Sequence, residues 1–158
     1  MKIQADSGAV VYERFMRNLH KTVFMLDRFA DRLLAEKMGG TFSQFMVLMG
    51  IAQCPGLSQQ RIAEFLNLTP AAVSRQIDTL SEEGLIKREQ DPDSRRSHVV
   101  NLTPAGTSRL ELMKTTLLQS FGEKVQMPLA ELERASKTME DILQTMTPFE
   151  HKPFRKII

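Results

Sequence analysis

The sequence predicts a mainly α fold that carries one small β-hairpin. Three observations lead there. Apolar residues recur at spacings of three and four over most of the chain. Thr-Pro pairs at 69–70 and 103–104 supply an N-cap followed by a residue suited to the first helical position. Only two short stretches, Leu85–Gln90 and His98–Leu102, read as strands, and a polar, turn-forming segment lies between them.

The first helix is predicted from about Ala9 to Lys37. Val11, Phe15, Leu19, Val23, Leu26, Ala30, Leu33 and Leu34 form its apolar stripe, and Gly39-Gly40 ends it. Thr41 opens a second helix with Phe45, Leu48, Met49 and Ala52, which Pro55-Gly56 stops. Ser58 is the N-cap of a short third helix whose inner face is Ile62, Ala63 and Leu66. Thr69-Pro70 starts the fourth helix. Val73, Ile77 and Leu80 form its inner stripe, and Gly84 fits the left-handed position just past its end. The strands come next, joined by a charged loop predicted over 91–97. Thr103-Pro104 then begins a long helix with Leu110, Met113, Leu117, Phe121 and Val125. Pro128 opens a last helix that Pro148 ends. The tail 148–158 has two further signals against regularity, Pro148 and Pro153, and receives no element.

Composition narrows the function classes. The chain has 158 residues, 42% hydrophobic and 25% charged, enough to bury a core. One cysteine, Cys54, excludes an internal disulfide framework and a cysteine-rich zinc module. His20, His98 and His151 are scattered, so no metal is expected. No nucleophile elbow, phosphate-cradling glycine loop or carboxylate pair points to an enzyme or a cofactor. No run of apolar residues is long enough to span a membrane, and MKIQADSG has no apolar core of a signal peptide. A cytoplasmic protein is therefore expected.

Two short helices joined by a tight turn, followed by a hairpin with a charged tip, form a winged helix-turn-helix. The domain organisation expected is a reading domain over 41–103, a helical dimerisation region over 1–40 and 104–147, and the tail over 148–158. The fourth helix can lie in a major groove about 12 Å wide. Its small residues Ala71 and Ala72 allow close approach, Ser74, Arg75 and Gln76 belong to the same helix, and Thr69 caps it. Arg75 can fork to guanine or phosphate. Arg61 adds a phosphate contact. Arg95 and Arg96 at the hairpin tip can reach a minor groove, with Asp93 in the turn before them. The partner implied is double-stranded DNA.

Charge only partly favours this reading. Net charge is +2 for the whole chain, and Ser58–Thr103 holds six Lys/Arg against seven Asp/Glu, a balance of −1. DNA affinity should then be moderate and salt-dependent.

The run Leu57-Ser58-Gln59-Gln60-Arg61-Ile62-Ala63-Glu64-Phe65-Leu66, then Leu68-Thr69-Pro70-Ala71-Ala72-Val73-Ser74-Arg75-Gln76-Ile77-Asp78-Thr79-Leu80, resembles the MarR-type transcriptional regulators. So do Gly84-Leu85-Ile86-Lys87-Arg88, Asp91-Pro92-Asp93-Ser94-Arg95-Arg96 and Leu102-Thr103-Pro104-Ala105-Gly106. The resemblance is dense over 41–106 and rests on helix layout elsewhere. It implies a homodimeric repressor or activator, with dimerising terminal helices and DNA binding altered by a small aromatic or anionic ligand. It also implies that Asp93 holds the wing while Arg95 enters the minor groove. Members often have Ser or Thr where this chain has Ala71 and Ala72.

The residues themselves support the dimer. The helices at 9–37 and 107–146 carry more apolar stripe than one small lobe can cover. A ligand site is expected where dimer helices meet the reading lobe, with Phe24, Phe45, Met49 and Met113 as candidates. Two rival readings are a redox switch built on Cys54 and a ligand- or protein-binding module that has lost DNA binding.

Overall fold

The computed structural model describes residues 7–66, 68–91 and 94–146, the side chains of residues 7 and 94–97 excepted. Its elements follow the order α1 (Ser7–Met38), α2 (Phe42–Gln53), β1 (Leu57–Ser58), α3 (Gln59–Leu66), α4 (Pro70–Glu82), β2 (Ile86–Asp91), β3 (Ser94–Leu102), α5 (Pro104–Val125) and α6 (Leu129–Met146). The fold is mainly α with a small antiparallel sheet. Two compact units divide the chain, residues 1–43 and 44–158.

The first unit is dominated by α1. Its N-terminal two thirds leave Val11, Tyr12, Met16, Val23 and Phe24 at least half exposed, whereas Ala30 and Leu34 are buried. Gly39 ends the helix in the left-handed region at φ 66°, where a side chain would be strained. Asp31 on α1 accepts the backbone N–H of Phe42 at 2.7 Å, which satisfies one orphan donor at the start of α2.

The second unit holds the larger core. Leu48 and Ile51 of α2, Ile62 of α3, Val73, Ile77 and Leu80 of α4, Val100 of β3 and Met113 of α5 are each at most 2% exposed. Gly50 lets α2 and α3 close up: a Cβ there would sit 3.1 Å from the Leu66 side chain. The predicted caps form. Ser58 Oγ accepts from Arg61 N–H at 3.3 Å, and Thr69 Oγ1 accepts from Ala72 N–H at 3.2 Å. At the other end of α4, Gly84 N–H bonds Ser81 O and Leu85 N–H bonds Leu80 O, with Gly84 at φ 70°. This is the Schellman arrangement, and it turns the chain from helix into β2.

The sheet departs from the predicted hairpin in two ways. It has three strands in the order β1-β3-β2, because Leu57 and Ser58 pair with Val100 and Val99. A two-residue strand shows no alternation, so periodicity could not reveal it; it satisfies the otherwise open edge of β3. The predicted loop over 91–97 is also too long. β2 runs to Asp91 and β3 begins at Ser94, with Asp91 opposite Ser94. The stretch 91–97 reads as loop because it is polar and carries Pro92, a turn signal. The register shifts between Gln90, opposite His98, and Asp91, opposite Ser94. The stretch that carries Arg95 and Arg96 therefore lies in a bulge of the wing.

The base of the wing is tied to α5 by Thr103. Its Oγ1 donates to Gly84 O at 2.8 Å and accepts from Gly106 N–H at 3.1 Å, while its own N–H bonds Leu85 O at 3.0 Å. Gly106 is needed for this approach, since a Cβ there would lie 1.9 Å from the Leu85 carbonyl oxygen.

Candidate nucleic-acid interface

α4 presents a polar face because its apolar residues fall at 73, 77 and 80 and are turned into the core. Thr69, Ala71 and Arg75 are exposed, and Ala72, Ser74 and Gln76 are half-buried. The first turn is almost fully satisfied. Pro70 has no N–H, Ala72 N–H is taken by Thr69, and Val73 N–H bonds Thr69 O at 3.1 Å. Among the described residues only the Ala71 N–H of that turn finds no acceptor, so this end offers one amide rather than several. Thr69 Oγ1 spends a lone pair on the cap, which leaves its O–H able to donate outward.

Ion pairs explain how a segment of balance −1 can still present cations. Arg61 pairs with Glu64 at 3.6 Å one turn away on α3. On β2, Lys87 pairs with Glu89 at 2.8 Å. Arg88 of β2 binds Asp78 of α4 through Nη2 and Oδ1. Three acids are thus neutralised within the segment itself. Among the described residues the Arg75 guanidinium has no carboxylate partner, although Asp78 stands three positions on along the same helix.

Glu89 is held further. Asn101 Nδ2 donates to its Oε2 at 2.9 Å, and Asn101 Oδ1 accepts from Gly56 N–H at 3.0 Å. The hydrogen bond from Lys87, then that from Asn101, lowers the Glu89 carboxyl below its ordinary value of 4.5. This chain of contacts joins β2, β3 and the turn before β1. Sequence reasoning missed Asp78, Arg88 and Asn101 as an ordering set. The only available signal was opposite charge on α4 and on the strand that follows it, ten positions apart.

Asp93 lies outside the described residues, and so do the side chains of Arg95 and Arg96, whose backbone belongs to β3. The ligand candidates fall in both units. Phe24, on α1, is 56% exposed, with the Arg28 guanidinium 5.6 Å over its ring. Phe45 and Met49 on α2 and Met113 on α5 are buried in the second unit. A separate open groove of about 330 Å3 is lined by Ile51, Ala52, Pro55, Asn101, Leu102, Thr107, Leu110 and Glu111, and includes none of the four. Cys54 is half-buried at the end of α2. Among the described residues no cluster of His, Cys, Asp or Glu could hold a metal ion.

The MarR family model matches residues 41–98, the span of the helix-turn-helix and most of the wing. The multiple antibiotic resistance protein MarR of Salmonella typhimurium is 28% identical over 134 residues, covering 82% of this chain and 91% of that protein. Residues 41–98 thus carry a MarR-type domain, and the chain is similar to MarR over most of its length. MarR family proteins are transcription regulators and not enzymes. Two solved structures show the same fold. The transcriptional regulator BldR of Sulfolobus solfataricus superposes with a TM-score of 0.78 at 20% identity, over 88% of this chain and 99% of that one. FabT of Streptococcus pneumoniae, solved in complex with DNA, gives 0.71 at 18% identity, again over 88% and 99%. Two other curated relatives, 28% and 30% identical, are matched over 53% and 65% of their own length. The chain thus spans about half to two thirds of those proteins.

Proposed function

We propose that this transcriptional regulator binds duplex DNA as a homodimer, with α4 in the major groove and the β2–β3 wing against the minor groove. The observation that carries the reading is Arg75: an exposed guanidinium with no carboxylate partner among the described residues, on the polar face of a capped helix. Arg75 reads a base edge or holds a phosphate. Thr69, Ala71, Ala72, Ser74 and Gln76 shape the approach, and Arg61 steadies the backbone beside α3. Arg95 and Arg96 enter the minor groove from the wing, with Asp93 bracing the turn. FabT, a neighbour of the same fold, was solved in complex with DNA, and this supports DNA as the partner.

Dimerisation belongs to 1–40 and 104–147, with 41–103 as the reading domain. Support comes from the apolar residues that α1 leaves exposed and from α6, which buries none of its residues in one chain. Apolar area of this kind is covered in a two-fold dimer. The two recognition helices must lie about 34–36 Å apart, one turn of B-DNA, to enter successive major grooves on one face. A small apolar or phenolic anion that binds better to a dimer with wrongly spaced helices weakens operator binding. Phe24, Phe45, Met49 and Met113 are its candidate contacts. The protein acts in the cytoplasm as a repressor or an activator of transcription. No described helix is long and apolar enough to cross a membrane.

Footprinting on genomic fragments retained by the protein tests the reading. Protection of two half-sites one helical turn apart supports it. Retention of no fragment in the presence of excess competitor DNA at low salt refutes it.

A further inference from the structure

We propose that Arg88 is a positioning residue for DNA binding: it occupies the Asp78 carboxylate and thereby keeps Arg75 free for the nucleic acid. The inference rests on the reading of α4 as the recognition helix, and adds a residue outside the helix-turn-helix on which that reading depends.

Asp78 is the acid that could most damage this surface. It lies on α4 three residues after Arg75, and residues at that spacing are neighbours, about 5–6 Å apart at Cβ. Both are exposed. An unoccupied carboxylate at that place has two available effects. It captures the Arg75 guanidinium in an i,i+3 ion pair, and it repels approaching phosphates. Neither needs any change in backbone. In the folded chain Asp78 Oδ1 is bound instead by Nη2 of Arg88, from the adjacent strand β2. Arg75 has no carboxylate partner among the described residues, although the geometry of its own helix would allow one.

The fold makes this allocation possible. The Schellman turn at Gly84 reverses the chain immediately after α4, so β2 returns beside the helix and Arg88 reaches back to Asp78. The neighbouring strand positions are otherwise engaged: Lys87 and Asn101 both bond Glu89. Arg88 is thus the base of β2 that serves the recognition helix, and Lys87 is the base that serves the wing.

A direct phosphate contact by Arg88 is the competing role, and the two separate in a double substitution. The measurement is anisotropy of a labelled duplex, selected from genomic fragments, against wild type, Arg88→Gln, Asp78→Asn and the double variant over a range of salt. Arg88→Gln should weaken binding about tenfold, the order expected when one Arg contact is lost. Its salt slope should fall by about 0.9, one phosphate's worth. Asp78→Asn should bind at least as well as wild type. The double variant should recover wild-type affinity and slope, because no carboxylate remains to be masked. Thermal melting without DNA checks that each variant is folded, and Arg88→Lys, which keeps the charge, should bind nearly as wild type.

If the double variant stays as weak as Arg88→Gln, Arg88 touches DNA itself and the inference is overturned. It is equally overturned if Asp78→Asn loses as much affinity as Arg88→Gln, since the pair then acts as a brace. Failure of wild type to bind any duplex would instead remove the underlying reading of α4.

Discussion

On the proposed reading of α4, Arg75 and Asp78 show how little separates a DNA-reading surface from an inert one. Both are exposed on α4, three residues apart, and the direction in which Asp78 is paired decides what Arg75 can touch. The types and spacing of these residues were legible in the sequence, as was the inward set of Val73, Ile77 and Leu80. Their pairing was not, because Arg88 joins Asp78 only after the chain has turned, and a 3.6-residue period carries no information about a contact across that turn. The same limit hid Asn101, which orders Glu89 from β3. One consequence can be measured. Asn101→Ala should return the Glu89 titration midpoint, followed by carboxyl NMR, upward toward its ordinary 4.5. The lowered pKa means that Glu89 favours the folded state above about pH 4.5, and that this contribution disappears as pH falls through the lowered value. Between pH 6 and 8 Glu89 should leave stability unchanged.

Helix starts were the most legible elements. Thr69-Pro70 and Thr103-Pro104 both form the expected caps, because an N-cap hydroxyl and a proline at the first helical position act locally. The strands were less legible. β1 is too short to alternate, and the polar wing tip with Pro92 reads as a loop, so the strands are predicted too short. Gly106 is where the element scale is most sensitive. Gly106→Ala puts a Cβ against the Leu85 backbone carbonyl, which cannot rotate away, and should cost about 3 kcal/mol in denaturant unfolding. Gly122→Ala, further along α5 with nothing within 4 Å, should instead stabilise by about 0.5–1 kcal/mol. Similar effects from the two substitutions would mean that the α5–β2 junction is not closely packed. Thr103→Val removes both hydroxyl hydrogen bonds at that junction and should cost about 1–2 kcal/mol by the same measurement.

For the whole molecule, the sequence and the fold agree that one chain leaves much apolar helix uncovered. α1 exposes Val11, Met16, Val23 and Phe24, and α6 is amphipathic yet buries nothing. Sedimentation at micromolar concentration should therefore give a dimer, and a monomer would remove the two-fold spacing on which the proposed operator geometry depends. Ligand response belongs to the same scale. Bulky substitutions at Met49 or Met113 should alter the loss of operator affinity caused by phenolic anions more than they alter affinity itself. A hundredfold loss requires only about 2.7 kcal/mol of differential binding. If no compound weakens wild-type binding, and peroxide does so only while Cys54 is present, the switch is redox-based. The decisive comparison is wild type against Arg75→Ala on one selected duplex and on versions with single base pairs changed in each half-site. Wild type should discriminate, with binding that falls steeply as salt rises. Arg75→Ala should lose about 1–3 kcal/mol and tolerate substitution at one position in each half-site. Equal affinity and equal base preference in the two proteins would contradict the placement of α4 in the major groove.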